Sequence, residues 1–194
     1  IQDLIARWLG QLPDIETRPR VSAQSTRKIN SPTGDDDFVR VTVAKVGEKL
    51  LATPLARGAG VITSLLRADG LAHIPRFSEG VDMRESVEVI LYRNMHAIEQ
   101  SVLAMGSHDP MLDLLAQFLS ANHPGTRLTS ANVGSMGGIV ALKRDETHVA
   151  GMHLLDEETG EYNISYLQKQ LKNVPLQVVT FAHREQGLIV QKGN

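Results

Sequence analysis

The second half of the chain repeats one pattern of apolar and polar residues. In each copy, an apolar run typical of a buried strand breaks at a glycine-serine pair and continues with helical periodicity. The first copy runs through residues 102–110 into a helix predicted over 111–120. The second copy spans 128–145 and breaks at Gly134 and Ser135. Two such units in tandem predict two helix N-termini that face one crevice.

The same half continues as alternating strands and helices. Strands are predicted at 102–105, 127–133, 148–155 and 176–183, and helices at 111–120, 137–144 and 165–171. Because strands that alternate with helices form parallel sheets, we expect an α/β lobe with a parallel sheet. Ligands of such sheets bind beyond the carboxyl ends of the strands.

The first half is patterned as short β-branched runs separated by turns. Strands are predicted at 38–43, 50–54, 71–74 and 87–92, with a tight turn at Asp69-Gly70 and an amphipathic helix at 1–10. Such spacing is typical of a small β-barrel or sandwich of about 70 residues. The chain therefore divides into a helix and linker at 1–20, a small β-barrel at 21–93 and an α/β lobe at 94–194.

Composition narrows the class of protein. The 194 residues are 42% hydrophobic with a net charge of −2, so there is no basic field and we expect no nucleic-acid partner. The sequence has no cysteine, which excludes disulfides, thiolate zinc sites and cysteine nucleophiles. No apolar run is long enough to span a bilayer, so we expect no membrane partner. Both termini fall within predicted elements, so we expect a piece of a longer protein.

The two helix starts are suited to an anion. Ser107 and Ser135 each place a hydroxyl beside unpaired helix N–H groups, which carry a partial positive charge. Ordinary helix capping explains one such serine, but two at equivalent positions, each preceded by glycine, favour anion binding. Gly134, Gly137 and Gly138 allow a ligand to approach the backbone.

Asp109 opposes an anion at this place. Pro110 fits the first position of a helix, so Asp109 is predicted to be the N-cap. Its carboxylate would repel a dianion by roughly 1–4 kcal/mol unless it folds onto its own helix or His108 supplies a compensating charge. Tyr162, on a polar loop, can reach back to the crevice. The predicted ligand-binding residues are Ser107, His108, Asp109, Ser135, Met136, Gly137 and Tyr162.

Other chemistries fit the spacing poorly. The neighbours Ser107, His108 and Asp109 cannot face one another as a catalytic triad. Ser135 lacks the glycine two residues earlier that a nucleophile elbow needs, and no Gly-Lys-Ser/Thr follows for a Walker loop. His148 and His153 would face opposite sides of a strand, and the acids at 35–37 are more typical of a solvated hairpin. No metal site or catalytic residue is predicted.

The first half resembles the C-terminal barrel of the MoeA-type molybdopterin molybdenumtransferases. The resemblance lies in PLARGAGVITSLLRADG at 54–70, Ile74-Pro75, DFVRV at 37–41 and ESVEV at 85–89. It implies a barrel that helps to line a molybdopterin cleft across a homodimer, with Arg57 and Ser64 as cleft residues. It also implies a catalytic domain with magnesium and nucleotide sites before residue 1, so whether this chain acts as an enzyme stays open.

The second half resembles the periplasmic-binding-protein-like domain of LysR-type substrate-binding and molybdate-binding proteins. The resembling strings are GSHD at 106–109, VGSMGG at 133–138, ALKR at 141–144, HLLD at 153–156 and YN at 162–163. The resemblance implies the first lobe of a type 2 clamshell, and Ser107 and Ser135 match the serine donors that molybdate binders use.

The expected function follows from the two resemblances together. We expect part of a cytoplasmic molybdenum cofactor biosynthesis protein that binds molybdate or tungstate for insertion into molybdopterin. Two alternatives remain open, namely a small-molecule or pterin-sensing regulatory module and a structural dimerisation module.

Overall fold

The computed structural model describes residues 5, 7–10, 17–57, 67–183, 187–191 and 193. Of the predicted helix at 1–10, the described residues Ile5, Arg7 and Trp8 are helical. The predicted cleft residue Ser64 lies outside the described residues. No helix in the described ranges is long and apolar enough to cross a bilayer.

Short strands of the first half close into a five-stranded barrel. In chain order the strands are β1 (Arg20–Ser25), β2 (Ile29–Asn30), β3 (Asp37–Val46), β4 (Lys49–Pro54), β5 (Gly70–Ile74), β6 (Gly80–Val81) and β7 (Ser86–Leu91). The barrel order is β1-β4-β3-β5-β7, and β2 pairs with β6 separately. Val87, Val89 and Leu91 alternate into the barrel core, as the sequence predicts. The predicted barrel is confirmed.

The second half forms a three-stranded parallel sheet with helical connections. Its elements are α1 (Met95–Glu99), β8 (Ser101–Gly106), α2 (Pro110–Asn122), β9 (Arg127–Asn132), α3 (Gly134–Lys143), β10 (Val149–Gly151) and α4 (Ile164–Gln170). β8 is central, with β9 and β10 parallel to it on either side. The predicted α/β lobe with a parallel sheet is confirmed, and the carboxyl ends of its strands share one edge.

A shared apolar cluster joins the barrel to the lobe. It contains Ala44, Val46 and Leu51 from β3 and β4, Leu103 and Met105 from β8, Ala131 from β9 and Ala141 from α3. β3 is buried along most of its length because alternate residues face the barrel core and the lobe. The lobe sheet is therefore packed directly against the barrel wall.

Asp69 is buried where the barrel meets the lobe. The sequence predicts a turn here, but Gly70 already begins β5 and the Asp69 side chain is 0% exposed. Its carboxylate accepts hydrogen bonds from the Val43 backbone N–H (3.0 Å), Arg93 Nε (2.9 Å) and the Arg127 guanidinium (2.5 Å). Asp69 therefore ties together β3, the connection after β7 and β9.

Two predicted apolar elements of the lobe are not buried. The apolar face predicted at 111–120 lies on α2, yet Met111, Leu114 and Phe118 are 44%, 46% and 67% exposed. The strand predicted at 176–183 is wrong, because those residues form no strand. A strand needs a hydrogen-bonded neighbour and an apolar face needs a covering surface, and the described part of the chain offers neither here.

Two side chains replace strand pairing before β10. Thr147 Oγ1 accepts the Met105 N–H at 3.1 Å, and His148 Nδ1 accepts the Leu103 N–H at 3.0 Å. These side chains occupy the edge of β8 that a longer β10 would pair with. β10 therefore begins at Val149, and it ends at Gly151, so it covers only three residues of the strand predicted at 148–155.

The stability of the fold should decrease at mildly acidic pH because of His148. Burial lowers the pKa of this imidazole, and a backbone hydrogen bond with Lys45 acts in the opposite direction. The unfolded state therefore binds the proton more readily than the folded state. The stabilisation is fully present above the ordinary imidazole pKa of about 6.5 and is lost as the pH falls towards the lower folded-state pKa.

Urea denaturation over a series of pH values measures this effect. In His148→Asn the side-chain oxygen can accept the Leu103 N–H without titrating, so this part of the acid-dependent loss should disappear. His123→Asn, at the exposed end of α2, should keep the wild-type pH dependence. The same pH dependence in all three proteins would contradict the role given to His148.

Candidate functional site

A sharp break at the end of β8 positions Ser107. Gly106 has φ +141, a conformation that residues with a Cβ rarely adopt. Here the chain turns away from β10 towards α2, and the Ser107 N–H donates to the Gly151 carbonyl at 2.9 Å. The hydroxyl of Ser107 is thereby held at the carboxyl end of the central strand.

The end of β9 positions Ser135 in the equivalent place. Gly134, with φ +72, begins α3, so Ser135 lies within the first helical turn and is only 8% exposed. The helix predicted at 137–144 therefore begins three residues early, at Gly134. α3 crosses β8 closely at Gly138, where an added Cβ would lie 3.0 Å from the Met105 carbonyl oxygen.

The two serines lie in direct contact. Ser107 Oγ and Ser135 Oγ are 2.7 Å apart, which is an ordinary hydroxyl–hydroxyl hydrogen bond. A small crevice opens beside them at the strand ends. Its lining includes Gly106, Ser107, His108, Leu112, Asn132 and Gly151. The structure therefore brings the two predicted donors to one point.

The two helix starts beside this pair differ in their capping. Asp109 caps α2, and its carboxylate accepts the Met111 N–H at 2.9 Å, as the N-cap prediction requires. Among the described residues, no side chain caps α3 in the same way. The Asn132 side-chain oxygen accepts only the Gly134 N–H, at 3.3 Å. The first turn of α3 is therefore the better place for an anion.

His153 is a contact of the pair that the sequence argument missed. Its backbone N–H donates to Ser135 Oγ at 3.1 Å, and its Nδ1 lies 3.5 Å from the same oxygen. The sequence argument weighed His153 only as a metal ligand. The sequence feature that could have identified His153 is its position just after the third strand, β10. Ser107 and Ser135 occupy the equivalent positions after β8 and β9.

The other predicted site residues make no described hydrogen bond with the serine pair. His108 is exposed at the crevice, and Met136 is 44% exposed on the first turn of α3 beside Gly137. Tyr162 is 56% exposed and its backbone bridges Leu155. Thus His153, rather than Tyr162, reaches the pair from the segment after β10.

Arg57 is held at the end of the barrel by two contacts. Its guanidinium donates to the Asp37 carboxylate at 2.9 Å and to the Asn30 carbonyl at 2.7 Å, while Ser31 Oγ donates to the same carboxylate. Asp36 pairs instead with His73 at 3.1 Å. Among the described residues, no group of three or more histidine or acidic side chains could hold a metal ion.

Comparison with known proteins identifies both halves. Residues 22–92 match the MoeA C-terminal region (domain IV), and residues 116–194 match the PBP superfamily domain. The chain therefore carries a region that matches the MoeA C-terminal region, followed by a region that matches the PBP superfamily domain.

Two individual relatives each match part of the chain. A putative molybdopterin biosynthesis protein from Methanocaldococcus jannaschii is 38% identical over 76 residues, 39% of this chain and 18% of that protein. An uncharacterized protein, YvgK, from Bacillus subtilis is 30% identical over 90 residues, 46% of this chain and 29% of that protein.

Solved structures of MoeA-type proteins are also similar. A molybdopterin biosynthesis MoeA protein from Pyrococcus horikoshii is 29% identical, covering 39% of this chain and 19% of that one, with a TM-score of 0.34. A molybdenum cofactor biosynthesis protein from Pyrococcus furiosus is 28% identical, covering 45% and 30%, with a TM-score of 0.37. The matches span less than a third of each of these four relatives. The match of residues 22–92 to the MoeA C-terminal region relates this part of the chain to the MoeA proteins of molybdenum cofactor biosynthesis.

Proposed function

We propose that the lobe binds a tetrahedral oxyanion, molybdate or tungstate, for insertion into molybdopterin by the MoeA-type machinery. The observation that carries this proposal is the 2.7 Å contact between Ser107 and Ser135 beside an α3 start that no described side chain caps. Hydroxyls and helix N–H groups are donors, and a tetrahedral dianion offers four acceptor oxygens.

The electrostatic objection from Asp109 is weakened by its capping bond. Its carboxylate already accepts the Met111 N–H, so part of its charge is compensated by its own helix start. The proposal accordingly places the anion against the first turn of α3 and the hydroxyl of Ser107, which lines the crevice, while Ser135 acts through its hydrogen bond with Ser107. His108 at the mouth of the crevice is available as a cationic neighbour when protonated.

The similarity of residues 22–92 to the MoeA C-terminal region supports a second part of the proposal. In it, the barrel contributes to a molybdopterin cleft in a homodimer. Arg57 would present the outer edge of its guanidinium to that cleft while Asp37 and Asn30 hold it in place. A preorganised arginine loses little entropy on binding a phosphate-bearing ligand.

Titration calorimetry with molybdate tests the oxyanion site. Loss of one hydrogen bond to a charged ligand costs about 1.5–3 kcal/mol. Ser107→Ala removes the donor and Ser135→Ala removes the group that Ser107 pairs with, so each should weaken binding by about 10- to 100-fold. Ser120→Ala, at the exposed end of α2, is the matched control and should bind as wild type does. No heat at millimolar molybdate, or equal binding by the Ser107→Ala/Ser135→Ala double variant, would refute the proposal.

A further inference from the structure

We infer that His153 controls anion binding at the serine pair through a hydrogen-bond chain, so that binding of the anion is coupled to uptake of a proton. This inference rests on the proposed oxyanion site and concerns its regulation. The chain runs from the crevice through Ser107 Oγ and Ser135 Oγ to His153 Nδ1, with separations of 2.7 and 3.5 Å.

The backbone of His153 limits the ways in which this chain can be arranged. A hydroxyl has one proton to donate and two lone pairs to accept with. One lone pair of Ser135 Oγ is already occupied by the His153 backbone N–H at 3.1 Å. Ser135 must therefore donate its proton to either Ser107 or the imidazole ring and accept from the other. The hydrogen bonds of the chain can thus run in two directions, either towards the imidazole or towards the crevice.

In the first direction, the imidazole is neutral with a lone pair on Nδ1. Ser135 donates to that nitrogen and Ser107 donates to Ser135. The proton of Ser107 is then used inside the chain, and its lone pairs are left facing the crevice. An anion meets acceptor atoms there, so this arrangement disfavours binding.

In the second direction, Nδ1 carries a proton and donates to Ser135. Ser135 then donates to Ser107, and the hydroxyl proton of Ser107 is free to point into the crevice. The neutral ring reaches this direction only as its Nδ1–H tautomer and without a charge. The imidazolium adds a positive charge near the anion, so it is the form that an anion selects.

The distance between Ser135 Oγ and His153 Nδ1 is consistent with a hydrogen-bond chain that can run in either direction. A separation of 3.5 Å is at the outer limit of a hydrogen bond, so Ser135 is not strongly committed to the imidazole. A charged N–H donor forms shorter and stronger bonds than a neutral one. Protonation of His153 should therefore tighten this link, and deprotonation should loosen it.

Few other groups near the chain can titrate in the same pH range. The titratable groups on the surrounding elements are His108 and Asp109 after β8, Asp156 and Tyr162 after β10, and Tyr166 and Lys169 on α4, and the first turn of α3 carries no acid. The neighbouring Ser165 hydroxyl, together with hydrogen bonds from the Glu158 and Thr159 backbone N–H groups, lowers the pKa of Asp156, so it stays charged. Histidines are the residues that change charge between pH 5 and 8, so His108 is the competing explanation.

Calorimetric titration of the full chain with molybdate at several pH values tests the coupling. If binding of molybdate takes up one proton, its affinity should fall by up to about tenfold for each pH unit above the pH at which His153 loses its proton. Repeating the titration at one pH in buffers with different ionisation enthalpies should show net proton uptake. His153→Gln should bind with little pH dependence, because its amide cannot titrate. His123→Gln, at the exposed end of α2 and outside the site, is the matched control and should keep the wild-type pH dependence.

The outcomes separate this inference from the proposed function. Molybdate binding that depends on both serines but shows no proton uptake would overturn the coupling and leave the oxyanion site intact. A pH dependence lost in His108→Gln and kept in His153→Gln would also overturn it. Absence of binding at every pH would overturn both, whereas loss of pH dependence in His153→Gln alone would support the inference.

Discussion

Replacing Asp69 by alanine should destabilise the protein by about 3–5 kcal/mol, the usual cost of removing one partner from a buried ion pair. The Asp69 side chain is fully buried, while those of Arg93 and Arg127 are 37% and 25% exposed. Alanine would leave the Val43 N–H without its acceptor and place two guanidinium groups close together without a counter-charge. A buried N–H without an acceptor is costly by itself.

The position of Asp69 predicts which parts of the fold the Asp69→Ala substitution should destabilise. Val43 belongs to the barrel, Arg127 begins β9, and Arg93 lies on the connection between barrel and lobe. Losing the carboxylate therefore weakens the attachment of the lobe as well as the barrel core. Urea denaturation followed by far-UV circular dichroism should show a lower midpoint and an earlier loss of the helical signal than of the strand signal, since the helices belong to the lobe.

Asp82→Ala is the matched control for this experiment. Asp82 pairs with Lys28 at 2.9 Å, but the two side chains are 65% and 63% exposed. Exposed pairs contribute about 0–1 kcal/mol, so this variant should unfold close to wild type. Asp69→Asn should be intermediate, because the amide oxygen can still accept one hydrogen bond. A similar small effect for Asp69→Ala and Asp82→Ala would show that the buried network does not hold the two halves together.

Asp69 also illustrates where sequence reasoning reaches its limit. Asp-Gly is a local turn signal, but the partners of Asp69 lie 24, 26 and 58 residues away in sequence. Local patterns did predict the features that depend on neighbouring residues. The alternation in β7, the strand–glycine–helix breaks and the Asp109 N-cap all follow from spacing within a few residues.

The apolar segments of the lobe show a second limit. Amphipathic spacing at 111–120 correctly predicts a helix, but it cannot say what covers the apolar face. The run at 176–183 has strand-like composition, yet a strand forms only when another strand pairs with it. For the site, sequence predicted the two serines because each follows a strand and a glycine, and missed His153 because its contact depends on how α3 lies across the sheet.

Replacing Gly106 by alanine should both destabilise the lobe and abolish anion binding. The residue has φ +141, and a Cβ there would overlap the Gly151 carbonyl oxygen and lie 2.8 Å from the Gly151 nitrogen. Backbone strain of this kind costs about 1–3 kcal/mol and overpacking about 1–3 kcal/mol more. Urea denaturation should therefore show a loss of about 2–6 kcal/mol.

Gly125→Ala separates these two costs. Gly125 also has a positive φ, +93, but a Cβ there would meet nothing within 4 Å. This variant should show only the backbone strain and should leave molybdate binding unchanged, because Gly125 lies in the turn before β9. The difference between the two variants in unfolding free energy then measures the crowding between β8 and β10.

The binding defect of Gly106→Ala follows from the position of this crowding. Relief of the overlap requires the end of β8 to move away from β10, and Ser107 must move with it. Ser135 is anchored separately by the His153 N–H, so the 2.7 Å contact between the serines should open. Since Ser107 is proposed to donate to the anion only while Ser135 donates to Ser107, calorimetry should show molybdate affinity reduced at least as far as in Ser107→Ala. Wild-type molybdate binding in a folded Gly106→Ala protein would mean that the serine pair does not form the anion site.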